Sequence, residues 1–199
     1  DEGRSWQEVG ITFDRREFSD TLGVYALNFL QFGKGYEGAR DEFVYAHAPR
    51  ATHLEWDAHT PGEIMLLRAP RDKLDRKAAW QWFAGVEHGR ASWTGGYDDA
   101  EPVFRDAANG VMRTGVNYNE GLERYFLCTQ QVSRFRNKDG QVGIYDAPTP
   151  WGPWTTVLFV NAFEHGIVDF TKTVFFNFSN KWTSGDGERS VMVYTNRDN

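Results

Sequence analysis

The stretch that decides the fold is Val142-Gly143-Ile144-Tyr145-Asp146-Ala147-Pro148-Thr149-Pro150-Trp151-Gly152-Pro153-Trp154-Thr155-Thr156-Val157-Leu158-Phe159-Val160. An apolar run over 142–145 stops at Asp-Ala-Pro, a Pro-Trp-Gly-Pro-Trp turn follows, and a β-branched run resumes at Thr155. This order predicts strand, aromatic turn, strand. Pro148, Pro150 and Pro153 exclude a helix here, because each ring fixes φ and removes a backbone donor. Trp151 and Trp154 supply large apolar faces, which are expected to be largely buried against a neighbouring sheet.

Working outward, the same device occurs earlier in the chain. Ile64 to Pro70 is an apolar run ending in Ala-Pro, followed by a tryptophan-bearing strand at Trp80-Gln81-Trp82-Phe83. Upstream of each copy lies a matching strand, Glu42 to Ala48 and Arg124 to Gln130, and before these come Tyr25 to Phe32 and Val111 to Tyr118. Four strands recur in one order at a spacing of about eighty residues, which is a repeat signature. A third copy opens at Lys172 to Phe178 and returns through Arg189 to Thr195, with a turn at Lys181 to Glu188. Asn137 to Gly140 reads as a hairpin turn, and Arg71 to Ala79 reads as two helical turns.

Repeated four-stranded units predict an all-β chain and a β-propeller. The expected division is a blade tail at 1–20, a blade at 21–84, a linker at 85–110, a blade at 111–160 and a half blade at 172–199. The chain then covers two to three blades. A β-sandwich with long loops is the competing architecture. An open arc of blades leaves sheet edges exposed, so the chain is expected either to belong to a larger propeller or to associate with itself.

The bulk numbers narrow the function classes. A net charge of −6 argues against a broad nucleic-acid surface. Aromatic residues reach 16%, which suits packed sheets and clefts in which rings stack on sugars. Cys128 is the one cysteine, so no internal disulfide forms, and its apolar strand makes it a buried thiol. No apolar run is long enough for a transmembrane helix, and no signal peptide is visible. His53, Glu55, Asp57 and His59 share a short loop, but their spacing matches no zinc motif, so a solvated loop is expected, with no metal and no cofactor.

Asp1-Glu2-Gly3-Arg4-Ser5-Trp6 resembles the Asp-box turn of sialidase-type propellers, a structural motif in which Trp6 packs between strands. Ile144 to Thr155 resembles the Trp-Gly-Pro-Trp hairpin of five-bladed propellers of the arabinanase and fructosidase type (glycoside hydrolases) and their uncharacterised bacterial relatives. Lys181-Trp182-Thr183-Ser184-Gly185-Asp186-Gly187 and Gly33 to Tyr45 are similar to further segments of those relatives. The resemblance implies a carbohydrate-active protein, secreted or periplasmic, whose site lies at a central channel. Its partner would be a glycan, with no nucleic acid and no membrane.

Hydrolases of this type place carboxylates on the first strand of each blade. The runs 25–32, 111–118 and 172–178 contain no Asp or Glu. They carry Asn28, Arg113, Asn117, Tyr118 and Asn177 instead, and these are expected to line a wet site, because polar groups inside apolar strands are costly to bury unpaired. Asp41 is the nearest candidate for an acid–base group, followed by Glu37, Glu120 and Asp186. A glycoside hydrolase and a non-catalytic glycan-binding or structural module both remain open. The far-ultraviolet circular dichroism of the purified chain is expected to show a β-dominated spectrum; helical minima would remove this architecture.

Overall fold

The computed structural model describes residues 4–6, 8, 10–18, 22–55, 57–133, 138–161 and 173–196. Among them there is no α-helix, and all regular pairing is antiparallel, in three sheets. The first sheet orders β1 (Asn28–Phe29), β2 (Phe43–Pro49), β3 (Glu63–Pro70), β4 (Gln81–Glu87) and β5 (Arg90–Thr94), with β6 (Phe104–Arg105) paired to the start of β3. The second orders β7 (Arg113–Asn119), β8 (Arg124–Ser133), β9 (Lys138–Ala147) and β10 (Thr155–Asn161). The third pairs β11 (Thr173–Thr183) with β12 (Ser190–Asn196).

Several strands of the first and second sheets are near-continuous apolar runs because these two sheets are buried on both faces. Side chains alternate along a strand, so Ile64 and Leu66 of β3 enter the core shared with the second sheet, whereas Met65, Leu67 and Ala69 enter a core on the far side. On β8, Tyr125 and Leu127 face the first sheet and Cys128 faces the third. The far side of the first sheet is closed by the N-terminal segment, whose Ile11, Phe13 and Phe18 pack on Trp80, Trp82 and Tyr97. Burial pushes the Cys128 thiol up to about 12, as expected of a buried structural thiol.

The aromatic hairpin forms as its sequence predicts, with Asp146 opposite Thr155 and Tyr145 opposite Thr156. Its turn docks on the first sheet. The Trp151 ring stacks on Phe83 at 6.3 Å and meets Trp93 edge-on at 6.2 Å. Beside it, Nε2–H of the fully buried His47 donates to the Pro150 carbonyl at 2.9 Å. Trp151 and Trp154 are half-buried rather than enclosed, because each packs on its neighbours through part of its ring while the turn stays at the surface.

The second and third sheets are clipped in the same way. The β7–β8 hairpin tip lies on the turn before β12: Asn119 Nδ2 donates to Gly187 O at 2.9 Å. A Cβ on Gly121 would lie 2.2 Å from the Asp186 carbonyl carbon, and one on Gly187, whose φ is +76°, would lie 2.1 Å from Asn119 Oδ1. Both positions therefore require glycine.

Other expectations change. Only Asn28–Phe29 of the 25–32 run is strand, because Gln31 leaves β2 and bridges Asn117 of β7 in parallel. Residues 85–110 are not a bare linker: they carry the end of β4, all of β5 and the β6 return. The helical turns at 71–79 are two short 3-10 turns. Trp6 is 90% exposed and does not pack between strands, and Asp1 to Gly3 of the Asp-box lie outside the described residues. Of the turn read at Asn137–Gly140, Lys138, Asp139 and Gly140 belong to β9, and Asn137 lies outside the described residues.

Burial lowers His47 from 6.5 to about 4, partly opposed by its bond to Pro150. The unfolded chain therefore binds more protons than the native one between these values, and the stability tied to His47 is complete above pH 6.5 and lost on acidification toward pH 4. The change is about 3 kcal/mol at the acid end. Urea denaturation across this range is expected to show that loss in the wild type and a reduced one in His47→Gln.

Candidate functional site

The first strands of the three sheets lie side by side. Gln31 N donates to Val116 O at 3.1 Å and Tyr118 N donates to Gln31 O at 2.9 Å. On the other side, Asn180 Nδ2 donates to Tyr118 O at 2.7 Å. The ends of these strands surround a cleft of about 990 Å³ lined by Gln31, Lys34, Glu37, Tyr118, Glu120, Asn177 and Asn180, among others. Its position follows from the sheet order: where neighbouring first strands separate beyond their last shared bonds, the loops 33–38, 120–121 and 183–185 enclose a space.

Beneath the cleft lies a buried aromatic cluster. The Tyr118 ring lies 4.8 Å from Tyr125 and 5.6 Å from Phe32, which in turn meets Tyr36 at 5.0 Å. Arg40 sits 5.5 Å over the Tyr118 ring. Burial raises the Tyr118 hydroxyl above its usual value, and the Arg40 charge works against that shift. The walls are amides and hydroxyls. Asn177 Oδ1 and Asn180 Oδ1 are buried and accept no hydrogen bond. A buried acceptor without a donor costs roughly 1–3 kcal/mol, so this wall is primed for a ligand that brings donors.

Of the residues singled out in the sequence, Tyr118, Asn177 and the loop carboxylates Glu37 and Glu120 line this cleft, whereas Asn28, Arg113, Asn117, Asp41 and Asp186 do not. Asn117 is 1% exposed and belongs to the β7 face turned toward the third sheet, as Gly115 and Asn119 do. The polarity of an inner-strand residue therefore does not place it in water here. Asn28 stands opposite His47 on β1 and is half-buried. Arg113 lies at the far end of β7, where its charge acts on Tyr25 together with that of Asp57. Asp41 caps β2: its Oδ1 accepts from Phe43 N at 2.9 Å and its Oδ2 from the Tyr45 hydroxyl at 2.6 Å. Asp186 is held in its turn by Ser184 Oγ and Glu188 N, which lower its carboxyl below the usual range.

Gln31, Asn180 and Lys181, which the sequence reading does not place in the site, join the cleft, and the candidate loop carboxylates Glu37 and Glu120 meet in it although they are far apart in the chain. The Lys-Trp-x-Ser turn was the available signal for Lys181, Ser184 and Gly185, but only β11 packing on β7 shows that it reaches Tyr118. The 50–62 loop is not solvated throughout: Asp57 and His59 are buried, and His59 stacks on His53 at 4.0 Å. Thr52 N donates to His59 Nδ1 at 2.9 Å, and burial, with the His53 charge, lowers His59 to about 4. Among the described residues no group of three or more His, Cys, Asp or Glu side chains could hold a metal ion. Also among them, no helix is long and apolar enough to cross a membrane.

The sequence matches no protein-family model and no curated protein. Among solved structures it is similar to the exo-β-1,3-galactanase of Phanerochaete chrysosporium, solved with β-1,3-galactotriose and with galactose. Identity is 14% and the TM-score 0.42, over 70% of this chain and 26% of that one. The chain thus spans about a quarter of that enzyme's length, and the reading of the cleft rests on the residues of this chain alone.

Gly115 provides a test of the wall. A Cβ there would lie 2.8 Å from Asn177 Cγ and 3.0 Å from its Nδ2. Gly115→Ala is expected to displace the Asn177 side chain and to cost roughly 1–3 kcal/mol. Chemical denaturation reads the cost, and the side-chain amide resonances of Asn177 read the displacement.

Proposed function

We propose that this chain forms part of a carbohydrate-active β-propeller and that the cleft at its inner-strand ends binds a neutral glycan. Support for the propeller comes from the sheets themselves. They are up-and-down meanders stacked face to face, with first strands adjacent and each later strand further from them. That is how successive blades meet around an axis. A five-bladed whole, of which this chain supplies two to three blades, agrees with the sequence resemblance, as does a secreted or periplasmic location.

The observation that carries the glycan reading is the pair of buried, unsatisfied amide oxygens of Asn177 and Asn180 in the lining of this cleft. Sugar hydroxyls are donors and acceptors at once and match amide groups on both counts. Sugar C–H faces suit the part-exposed ring of Phe178 in the lining. Lys34 and Lys181 are balanced by Glu37 and Glu120 in the same lining, so the cleft does not select an ion of one sign.

A second reading, hydrolysis, has one observation in its favour: Glu37 and Glu120 share this cleft. Two carboxylates flanking one bond are what glycoside hydrolysis requires. Asp41 is the weaker candidate, since both of its oxygens already serve β2 and Tyr45. Calorimetric titration with neutral oligosaccharides is expected to show binding that Asn177→Ala weakens about tenfold, the effect of roughly one lost hydrogen bond. Reducing-sugar release that disappears in both Glu37→Gln and Glu120→Gln would establish the enzymatic reading. Release that persists in both but disappears in Asp41→Asn would restore Asp41. Neither binding nor release with any glycan would leave a structural role.

A further inference from the structure

A second cleft, of about 520 Å³, lies away from the inner strands. One wall is the segment 103–109 that returns to the edge of the first sheet, and the other is the β9–β10 hairpin of the second. Its volume falls within the roughly 300–1,000 Å³ typical of small-molecule sites. We infer that this groove is a separate glycan site that holds a neutral sugar residue against Trp154.

The groove is built rather than incidental. The 103–109 wall is tied to the first sheet at successive points: Val103 N donates to Ile64 O at 2.9 Å, Asp106 N donates to Gly62 O at 3.2 Å, and the Arg105 guanidinium pairs with the buried Glu63 carboxylate. The two walls meet through the rings of Phe104 and Tyr145, edge-on at 4.7 Å. On the hairpin side, Gly152 adopts φ +99° and has no Cβ, which lets the Trp154 indole lie against its backbone. Recognition groups held by fixed backbone lose little entropy on binding.

The lining then selects the ligand. Trp154, Phe104 and Phe159 present apolar ring surface. The Trp154 Nε1–H is buried and has no acceptor in the protein, although indole N–H groups generally find one when buried. Asp106 accepts from Asn109 N at 3.0 Å and from Asn109 Nδ2, which leaves carboxylate lone pairs for a further donor. Thr156 adds an exposed hydroxyl, and Arg105 is more than half exposed. The ligand must therefore carry a flat apolar face and, on its edge, both an acceptor for the indole and donors for Asp106. A purely apolar ligand would leave the indole N–H unpaired. An anion would meet Asp106 and a cation would meet Arg105. A neutral sugar ring satisfies all of these conditions.

The site stands on observations independent of the inner cleft, and the test separates the two. The whole chain is titrated with linear neutral trisaccharides of galactose, arabinose, xylose and glucose, by calorimetry and by tryptophan fluorescence. The wild type is expected to bind one of them in two distinguishable events. Trp154→Phe keeps an aromatic ring, though a smaller one, and removes the donor, so it should weaken one event about tenfold or more. Thr156→Arg changes an exposed strand position, leaves the fold intact and should block the same event. Asn180→Ala should weaken only the other event. If neither groove variant alters any binding, or if the groove takes only charged or apolar probes, the inference fails while the inner cleft stands. If the groove variants remove an event and Asn180→Ala removes none, the inner-cleft reading fails and this site stands.

Discussion

The two larger sheets of this protein depend on burial from two sides. The first and second sheets each carry apolar side chains on both faces, so each needs a neighbour above and below. Period-two alternation divides a single strand between two cores: β3 sends Ile64 and Leu66 one way and Met65 and Leu67 the other. Burying a large aliphatic side chain contributes about 1.5–3 kcal/mol. Removing one layer would therefore expose a whole row of such groups, and the sheets are stable together rather than singly.

Apolar faces alone do not fix how one sheet sits on the next, since they slide easily. Here polar clips set the register between layers. His47 holds the Pro150 carbonyl, and Asn119 holds the Gly187 carbonyl. Each clip joins a turn of one sheet to a strand of its neighbour. Each is buried, so a slipped arrangement would leave a donor and an acceptor unpaired in a dry interior. The Glu63 carboxylate does the same for the edge of the first sheet, drawing in Arg50 and Arg105 from either side.

This arrangement explains where ligand sites can occur. Between the sheets the space is filled with rings and aliphatic groups. Among the described residues, space opens at the ends of the first strands, along the return to the first-sheet edge, and between the N-terminal segment and the far face of the first sheet. The first two of these places each hold a buried polar atom without a partner, Asn177 and Asn180 at one and Trp154 at the other, while others, such as those of His47, Thr114 and Gln131, lie elsewhere. Asn117 Oδ1 is likewise unsatisfied, but it lies between packed layers and lines neither opening. The coincidence of open volume with unmet hydrogen bonds is what supports the proposal that the first two are sites.

The sequence by itself determined the strands and their order. Apolar runs, proline-rich turns and the repeat of about eighty residues are local signals, and local backbone preference decides them. It predicted the aromatic hairpin, and it named Tyr118 and Asn177, which line the inner cleft. It could not say which side of β7 Asn117 faces, because the side depends on which sheet covers it. Nor could it show that Asp41 is consumed as a cap, that His59 is buried in a polar loop, or that Glu37 and Glu120 share a cleft. Those outcomes depend on contacts between residues distant in the chain, and only the stacking of complete sheets creates them.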